Sequence, residues 1–310
     1  MRHYNRSMSI YAFRLEAGMV IPLDTDAASP DELTRRLPRG LYTTFSTNHN
    51  GTHVLGLTTH MDRLYIPAQS EGIHPSASRM DLRLSLAKMA LDSTPGESRF
   101  RLLLSASDGM LYVIVQPFPP LPREIYEKGV KAITADLVRH DPRRKDSNFI
   151  TASQVERSKI GGEVYEILLT HHGRIYEGMT SNFYAIVNST IPSGATLGKV
   201  IDGGIHGKSK TKEIGSTLLT SRYGILLGVT RRAVLRLARG QGMFIQYRAP
   251  RLNEAFVEAF ITSSSRGIVP VVSIDDRGVG EGTVGVWTRR LIQTYHSYVQ
   301  EHSEPVNPLS

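Results

Sequence analysis

Apolar residues along this chain fall mostly into short runs of period two, broken by a few stretches of helical period. In the first 115 residues Gly40 to Ser46 is β-branched and aromatic. Thr52 to Leu57 alternates after the turn signal Asn48 to Gly51, and the two runs together predict a hairpin. Met80 to Leu91 carries apolar residues at helical spacing, and Phe100 to Ala106 and Met110 to Gln116 read as strands joined at Asp108 and Gly109. This mixture predicts an α+β N-terminal domain over residues 1–116. Pro117, Pro119, Pro120 and Pro122 fix φ and lack amide donors, so neither sheet nor helix continues and residues 117–122 read as a linker. Residues 123–310 then read as a larger domain. Its strand-like runs (Val130 to Leu137, Ile175, Phe183 to Val187, Val257 to Thr262) alternate with helices, including Arg231 to Ala238 with Gly240 as its C-cap. A final helix over Val284 to Glu301 places Trp287, Leu291, Tyr295 and Val299 on one stripe, as core or as a contact between subunits.

Composition narrows the classes of function. The 310 residues are 40% hydrophobic and 21% charged, as in a globular protein, and contain no run of eighteen apolar residues. The first residues lack the apolar core of a secretory leader, so a cytoplasmic protein with no membrane partner is expected. With no cysteine, disulfides, thiolate metal sites and cysteine nucleophiles are excluded, and covalent catalysis falls to lysine, serine, threonine or a carboxylate. The net charge of +8 is dispersed and aromatic content is 7%, which argues against nucleic acid and fits small anionic substrates.

Two residues then stand out. Lys145 follows a strand-like run, and Glu177 directly precedes the strand at Phe183. An amine able to form a Schiff base and a carboxylate held by polar backbone are what a pyridoxal-type cofactor requires. Its phosphate would need backbone donors at a helix start. Leu226 to Thr230 leads into the helix at Arg231, and Thr262 to Ser265 ends a strand in hydroxyls before Arg266. Read alone, each is more readily a capped helix or a polar turn than a phosphate site.

Seven segments in this order resemble the class IV aminotransferases, the fold type IV pyridoxal-phosphate enzymes: Arg39 to Phe45, His60 to Leu64, Arg139 to Lys145, Glu177 to Asn182, Leu226 to Arg231, Thr262 to Pro270 and Gly280 to Gly282. That family includes branched-chain and D-amino acid aminotransferases, (R)-amine transaminases and aminodeoxychorismate lyases. The resemblance implies two domains, a small α+β one and a larger one with a pseudo-barrel sheet, and pyridoxal 5'-phosphate as cofactor. It implies that Lys145 is the catalytic Schiff-base lysine that also shuttles the α-proton, and that Glu177 pairs with the pyridine nitrogen. Arg63, Val229, Thr230, Ser263 and Ser264 match the phosphate contacts, Leu226 the apolar residue against the ring, and Ser181 and Asn182 complete the cofactor-binding set. Arg139 matches an arginine near the lysine that orients the phenolic oxygen, its alternative being a surface arginine. Tyr42 and Thr44 share one side of their strand and would face substrate, and Arg101 matches an arginine that helps hold the substrate carboxylate in branched-chain aminotransferases, its alternative being an ordinary strand arginine. A homodimer and transfer of an amino group from an amino acid or amine to a 2-oxo acid follow from the resemblance, with a lyase of the aminodeoxychorismate type as the alternative.

Three features depart from the family pattern. The interval from Lys145 to Asn148 is shorter than in branched-chain aminotransferases, with Phe149 where a tyrosine hydroxyl would stand; Ser46 replaces a basic residue; and 191–216 is longer than usual and reads as a mobile surface loop. Within it, Gly203 to Ser209 is similar to a nucleotide-binding P-loop but leaves three residues where the phosphate wrap needs four. His171 and His172 would point to opposite faces of a strand, so a turn rather than a metal site is expected.

Overall fold

The computed structural model of the chain describes residues 10–92, 96–192, 200–201 and 212–309. The P-loop-like segment lies outside them, as does most of 191–216.

The chain divides into two compact units. The first takes residues 1–120 together with two later segments, Arg144–Gln154 and Val299–Ser310. Its strands are β1 (Tyr11–Glu16), β2 (Met19–Leu23), β3 (Gly40–Ser46), β4 (His53–Leu55), β5 (Ser98–Ser105) and β6 (Leu111–Pro117). The helices α1 (Pro30–Arg36), α2 (Leu57–Ser70) and α3 (Arg79–Leu91) lie among them. Five strands form an antiparallel sheet in the order β2-β1-β6-β5-β3. Alternation gives the sheet two different faces. Leu41, Phe45, Phe100, Leu102 and Leu104 pack with Leu57, Met61 and Leu64 of α2 and with Leu82 and Leu86 of α3. On the other face Tyr42 and Leu103 pack with Ile150, while Ala12 and Ile114 pack with Leu33 of α1.

The expected hairpin is not formed. β3 pairs with β5, and His53–Leu55 pairs instead with Ser303–Pro305 near the C-terminus. Only the bridge Asn48 to His53 closes the turn. Gly56, in the left-handed region at φ 67°, then turns the chain into α2 before β4 can lengthen. Helix α3 follows its period closely, because Ser78 and Asp81 form a capping box at its start.

Gly40 is a close-approach position. A Cβ there would lie 1.9 Å from the Leu104 carbonyl oxygen, backbone against backbone. Gly40→Ala is expected to destabilise the protein by about 2 kcal/mol or more, read as a lower urea midpoint.

The second unit takes Leu121–Arg143 and Val155–Tyr298. It begins with α4 (Arg123–Lys128) and β7 (Val130–Asp136); after α5 (Asn148–Ala152), which belongs to the first unit, the short helix α6 (Gln154–Arg157) precedes β8 (Val164–His171), β9 (Arg174–Gly178), β10 (Asn182–Pro192), β11 (Val200–Ile201) and β12 (Lys212–Thr220). Then come α7 (Val229–Gly240), β13 (Phe244–Tyr247), β14 (Glu258–Ser263), β15 (Gly267–Ile274), β16 (Arg277–Gly278) and α8 (Val286–His302), after which the chain returns to the first unit with β17 (Ser303–Pro305), the partner of β4. Strands β10, β14, β15, β7, β8 and β9 pair in sequence, and β9 pairs back onto β10 at Glu177 and Asn182, closing a pseudo-barrel ring. Phe183, Leu168, Ile261 and Val269 fill its core.

Helix α7 runs through Gly240; Gln241 is its C-cap and Gly242, at φ 79°, makes the turn out of it. His172 and Gly173 both adopt positive φ between β8 and β9, the turn expected there. On α8, Leu291 and Tyr295 are buried, while Trp287 and Val299 are half-buried. No helix among the described residues is long and apolar enough to cross a membrane.

Candidate active site

The first unit presents an amine on one sheet face. The Tyr42 amide donates to the Lys145 carbonyl at 2.8 Å and the Ser147 amide to the Gly40 carbonyl at 2.9 Å, while Gly40 donates to Ser147 Oγ at 3.0 Å. These bonds fasten residues 145–147 along β3. Lys145 Nζ stands 4.9 Å from the centre of the Tyr42 ring. The guanidinium of Arg101 lies 5.3 Å from the same ring centre. Amine and guanidinium therefore share the face that carries Tyr42 and Thr44.

Arg101 is already engaged. Its Nη1 donates to Pro30 O and Thr34 Oγ1, its Nε to Thr44 Oγ1, and its Nη2 pairs with Asp31 Oδ1 at 2.7 Å. The carboxylate partner of this arginine is thus supplied by α1.

Arg63 is half-buried on α2, one turn beyond His60. His60 is fully buried, and its Nδ1 meets Thr43 Oγ1 at 2.6 Å. Burial first, then the nearby charges of Arg63 and Lys145, hold its pKa well below the usual 6.5, so it is neutral in the folded protein. The unfolded chain takes up a proton at this histidine below about pH 6.5 and the folded one does not. Stability should therefore fall from pH 6.5 to pH 5, by up to about 1.4 kcal/mol per pH unit from this group. In His60→Asn, whose amide can meet Thr43 without titrating, urea midpoints across that window should slope less.

The second unit holds a buried carboxylate on β9. Glu177 accepts from Arg139 Nε at 2.9 Å on one oxygen and from the Leu226 amide at 2.9 Å on the other. Arg139 is itself buried, not a surface residue. Asn182, opposite Glu177 in the barrel closure, donates from Nδ2 to Leu226 O at 2.7 Å and accepts from the Gly228 amide at 3.1 Å on Oδ1. Glu177 and Asn182 thereby fix residues 226–228, which lead into α7.

The start of α7 is arranged for an anion. Gly228 gives its first turn no side-chain cap, so the leading amides remain available. A Cβ at Gly228 would meet Asn182 Oδ1 at 2.3 Å, which keeps backbone rather than side chain at this spot. Val229 is half-buried and the hydroxyl-bearing Thr230 is buried. Arg231 follows, buried, its guanidinium donating to neutral acceptors, Thr220 Oγ1 and Ser221 O. A buried cation on neutral acceptors favours a bound anion nearby. Reading the sequence missed this role for Arg231, which the periodicity counted only as the first residue of a helix.

A third polar cluster involves β8. Glu166, fully buried, accepts from Thr180, Ser181 and Arg266, and Arg266 also donates to Ser263 Oγ at 3.0 Å. The one O–H of Ser181 is thus committed to Glu166. Ser264 is half-buried at the end of β14. Glu166 carried no signal in the sequence, since a single acid in an apolar strand reads as an irregularity. Among the described residues no group of three or more acids and histidines could hold a metal ion.

Comparison with known proteins accords with this arrangement. The chain is 24% identical over 262 residues to a putative branched-chain-amino-acid aminotransferase of Methanocaldococcus jannaschii, covering 78% of this chain and 81% of the relative. It is 27% identical over 253 residues to a D-alanine aminotransferase of Bacillus licheniformis, covering 76% and 79%. Among solved structures, a putative branched-chain amino acid aminotransferase of Thermotoga maritima superposes with a TM-score of 0.68 at 21% identity, over 94% of this chain and 96% of that one. A hypothetical aminotransferase from Mycobacterium tuberculosis in its PLP-bound form also gives 0.68, at 19% identity, over 94% and 99%. The fold is therefore that of the fold type IV enzymes. A family model described as amino-transferase class IV matches residues 40–274, and the chain belongs to the class IV aminotransferases.

Proposed function

We propose that the protein is a pyridoxal 5'-phosphate-dependent transaminase moving an amino group between an amino acid or amine and a 2-oxo acid, with Lys145 as its Schiff-base lysine. The observation that carries this reading is the interlock in the second unit. Glu177, matched to the pyridine nitrogen, and the uncapped, cationic start of α7, matched to the phosphate, are tied together through Leu226, Gly228 and Asn182. The donor set fits the cofactor: one buried carboxylate, helix-start amides with the Thr230 hydroxyl, and an amine on a separate element. Solved class IV relatives are described with pyridoxamine 5'-phosphate or in a PLP-bound form, which supports the same cofactor.

When bound, pyridoxal 5'-phosphate supplies an electron sink for the pair left by the departing α-proton. Lys145 provides the amine that anchors the cofactor and carries that proton between its donor and acceptor carbons. The Glu177 carboxylate, braced by Arg139 and the Leu226 amide, holds a proton on the pyridine nitrogen. Val229, Thr230, Ser263 and Ser264 would hold the phosphate and Leu226 would pack on the ring, and the family resemblance matches Arg63 to the same phosphate. Tyr42 shields one side of the lysine from water. The protein acts as a homodimer, as the family resemblance implies, which sedimentation can check.

The test is a donor panel of D- and L-amino acids and chiral amines added singly to protein carrying its visible absorption band. A transaminase bleaches one equivalent of that band with donor alone and recovers it on adding a 2-oxo acid. Steady release of pyruvate from a single substrate, with no need of an acceptor, would instead establish the lyase.

A further inference from the structure

We propose that Asp31 is a specificity-determining residue: by occupying Arg101 it weakens capture of donor carboxylates and shifts the enzyme toward amine donors that carry none. The inference rests on the transaminase reading of Lys145, and everything it uses lies in the first unit. Arg101 and Lys145 flank one ring, that of Tyr42, at 5.3 and 4.9 Å. The guanidinium is therefore the cation placed to receive a carboxylate from a donor whose amine reaches Lys145. Four acceptors already take its fork: Pro30 O, Thr34 Oγ1, Thr44 Oγ1 and Asp31 Oδ1. Three of them are neutral and only orient it; Asp31 also cancels its charge.

The start of α1 has a cap of its own besides Asp31. The start of α1 is capped by Ser29 Oγ, which accepts from the Glu32 amide, and Glu32 Oε2 accepts from the Ala28 amide. Leu33 and Thr34 supply the buried side of the helix. The Asp31 carboxylate thus sits where a substrate carboxylate would bind, at an arginine with only 12% of its side chain exposed. An incoming carboxylate must displace it or share the guanidinium with a like charge, both unfavourable. A donor without a carboxylate meets no such competition.

Asp31→Asn keeps the shape and one acceptor while removing the charge. Two measurements on the holoenzyme test the idea. Protection against thermal unfolding by propionate, a bare carboxylate, should show at least about tenfold tighter apparent binding in Asp31→Asn than in the parent, and Asp31→Glu should return it to the parent value. The KM for alanine, tried as each enantiomer, should fall by a similar factor, while KM for 1-phenylethylamine and kcat for both donors stay within about twofold. A general loosening of α1 would move both donors together. Equal shifts for alanine and phenylethylamine, or unchanged propionate binding, overturn the proposal. A gain in propionate binding in a protein that transfers from no donor would uphold the competition at Arg101 and overturn the transaminase reading beneath it.

Discussion

Lys145→Ala is expected to abolish transfer, lowering kcat by at least about 10⁴-fold, and to remove the visible absorption band that depends on the lysine amine. The fold should survive. The segment is held to β3 through the backbone of Lys145 and Ser147 and through Ser147 Oγ, none of which the substitution touches. The packing of the amine over Tyr42 is lost, a change of roughly 0.5–1 kcal/mol. Absorption spectra of the purified variant beside a urea melt separate the two effects. A variant retaining both the band and turnover would refute the role given to Lys145.

Glu177→Gln gives the second large effect, and its signature differs. The amide is uncharged and cannot keep a proton on the pyridine nitrogen, so kcat should fall by about 10²-fold or more while the band persists because Lys145 is intact. Stability should also drop. Arg139 Nε and the Leu226 amide converge on different oxygens of the carboxylate, and a carboxamide offers one acceptor oxygen in place of two. An unsatisfied buried donor costs about 1–3 kcal/mol, and the buried Arg139 loses its counter-charge as well. Full activity with an unaltered melt in this variant would show that Glu177 serves neither cofactor nor fold.

Much of the local structure could be read from the chain, because it is set by neighbours. The helical spacing of apolar residues over Met80 to Leu91 marks α3. The hydroxyls ending β14 and the Gly228 to Arg231 entry into α7 stand in sequence where the site needs them. Partners far along the chain could not be read. Period two marked His53 to Leu55 as extended, yet nothing in that period says that its partner is Ser303–Pro305 rather than β3. Arg139 meets Glu177 across 38 residues, and Arg101 meets Asp31 from a seven-residue helix. In each case the residue type was visible and its occupancy was not. Gly240 misplaced the end of α7 because two glycines stand there, and only the positive φ of Gly242 distinguishes the one that turns the chain.

The return of Arg144–Gln154 and Val299–Ser310 to the first unit has a consequence for modularity. A chain cut after Pro120 would lack β17, the partner of β4, and the segment bearing Lys145, so it would leave β3 with an unpaired edge and His53–Leu55 with no strand to bind. Neither unit can be transplanted by a single break, and evolutionary exchange of the first unit between relatives would require several coordinated crossovers. Variation in this enzyme is therefore expected to accumulate by substitution on the sheet face around Arg101 rather than by shuffling of whole domains.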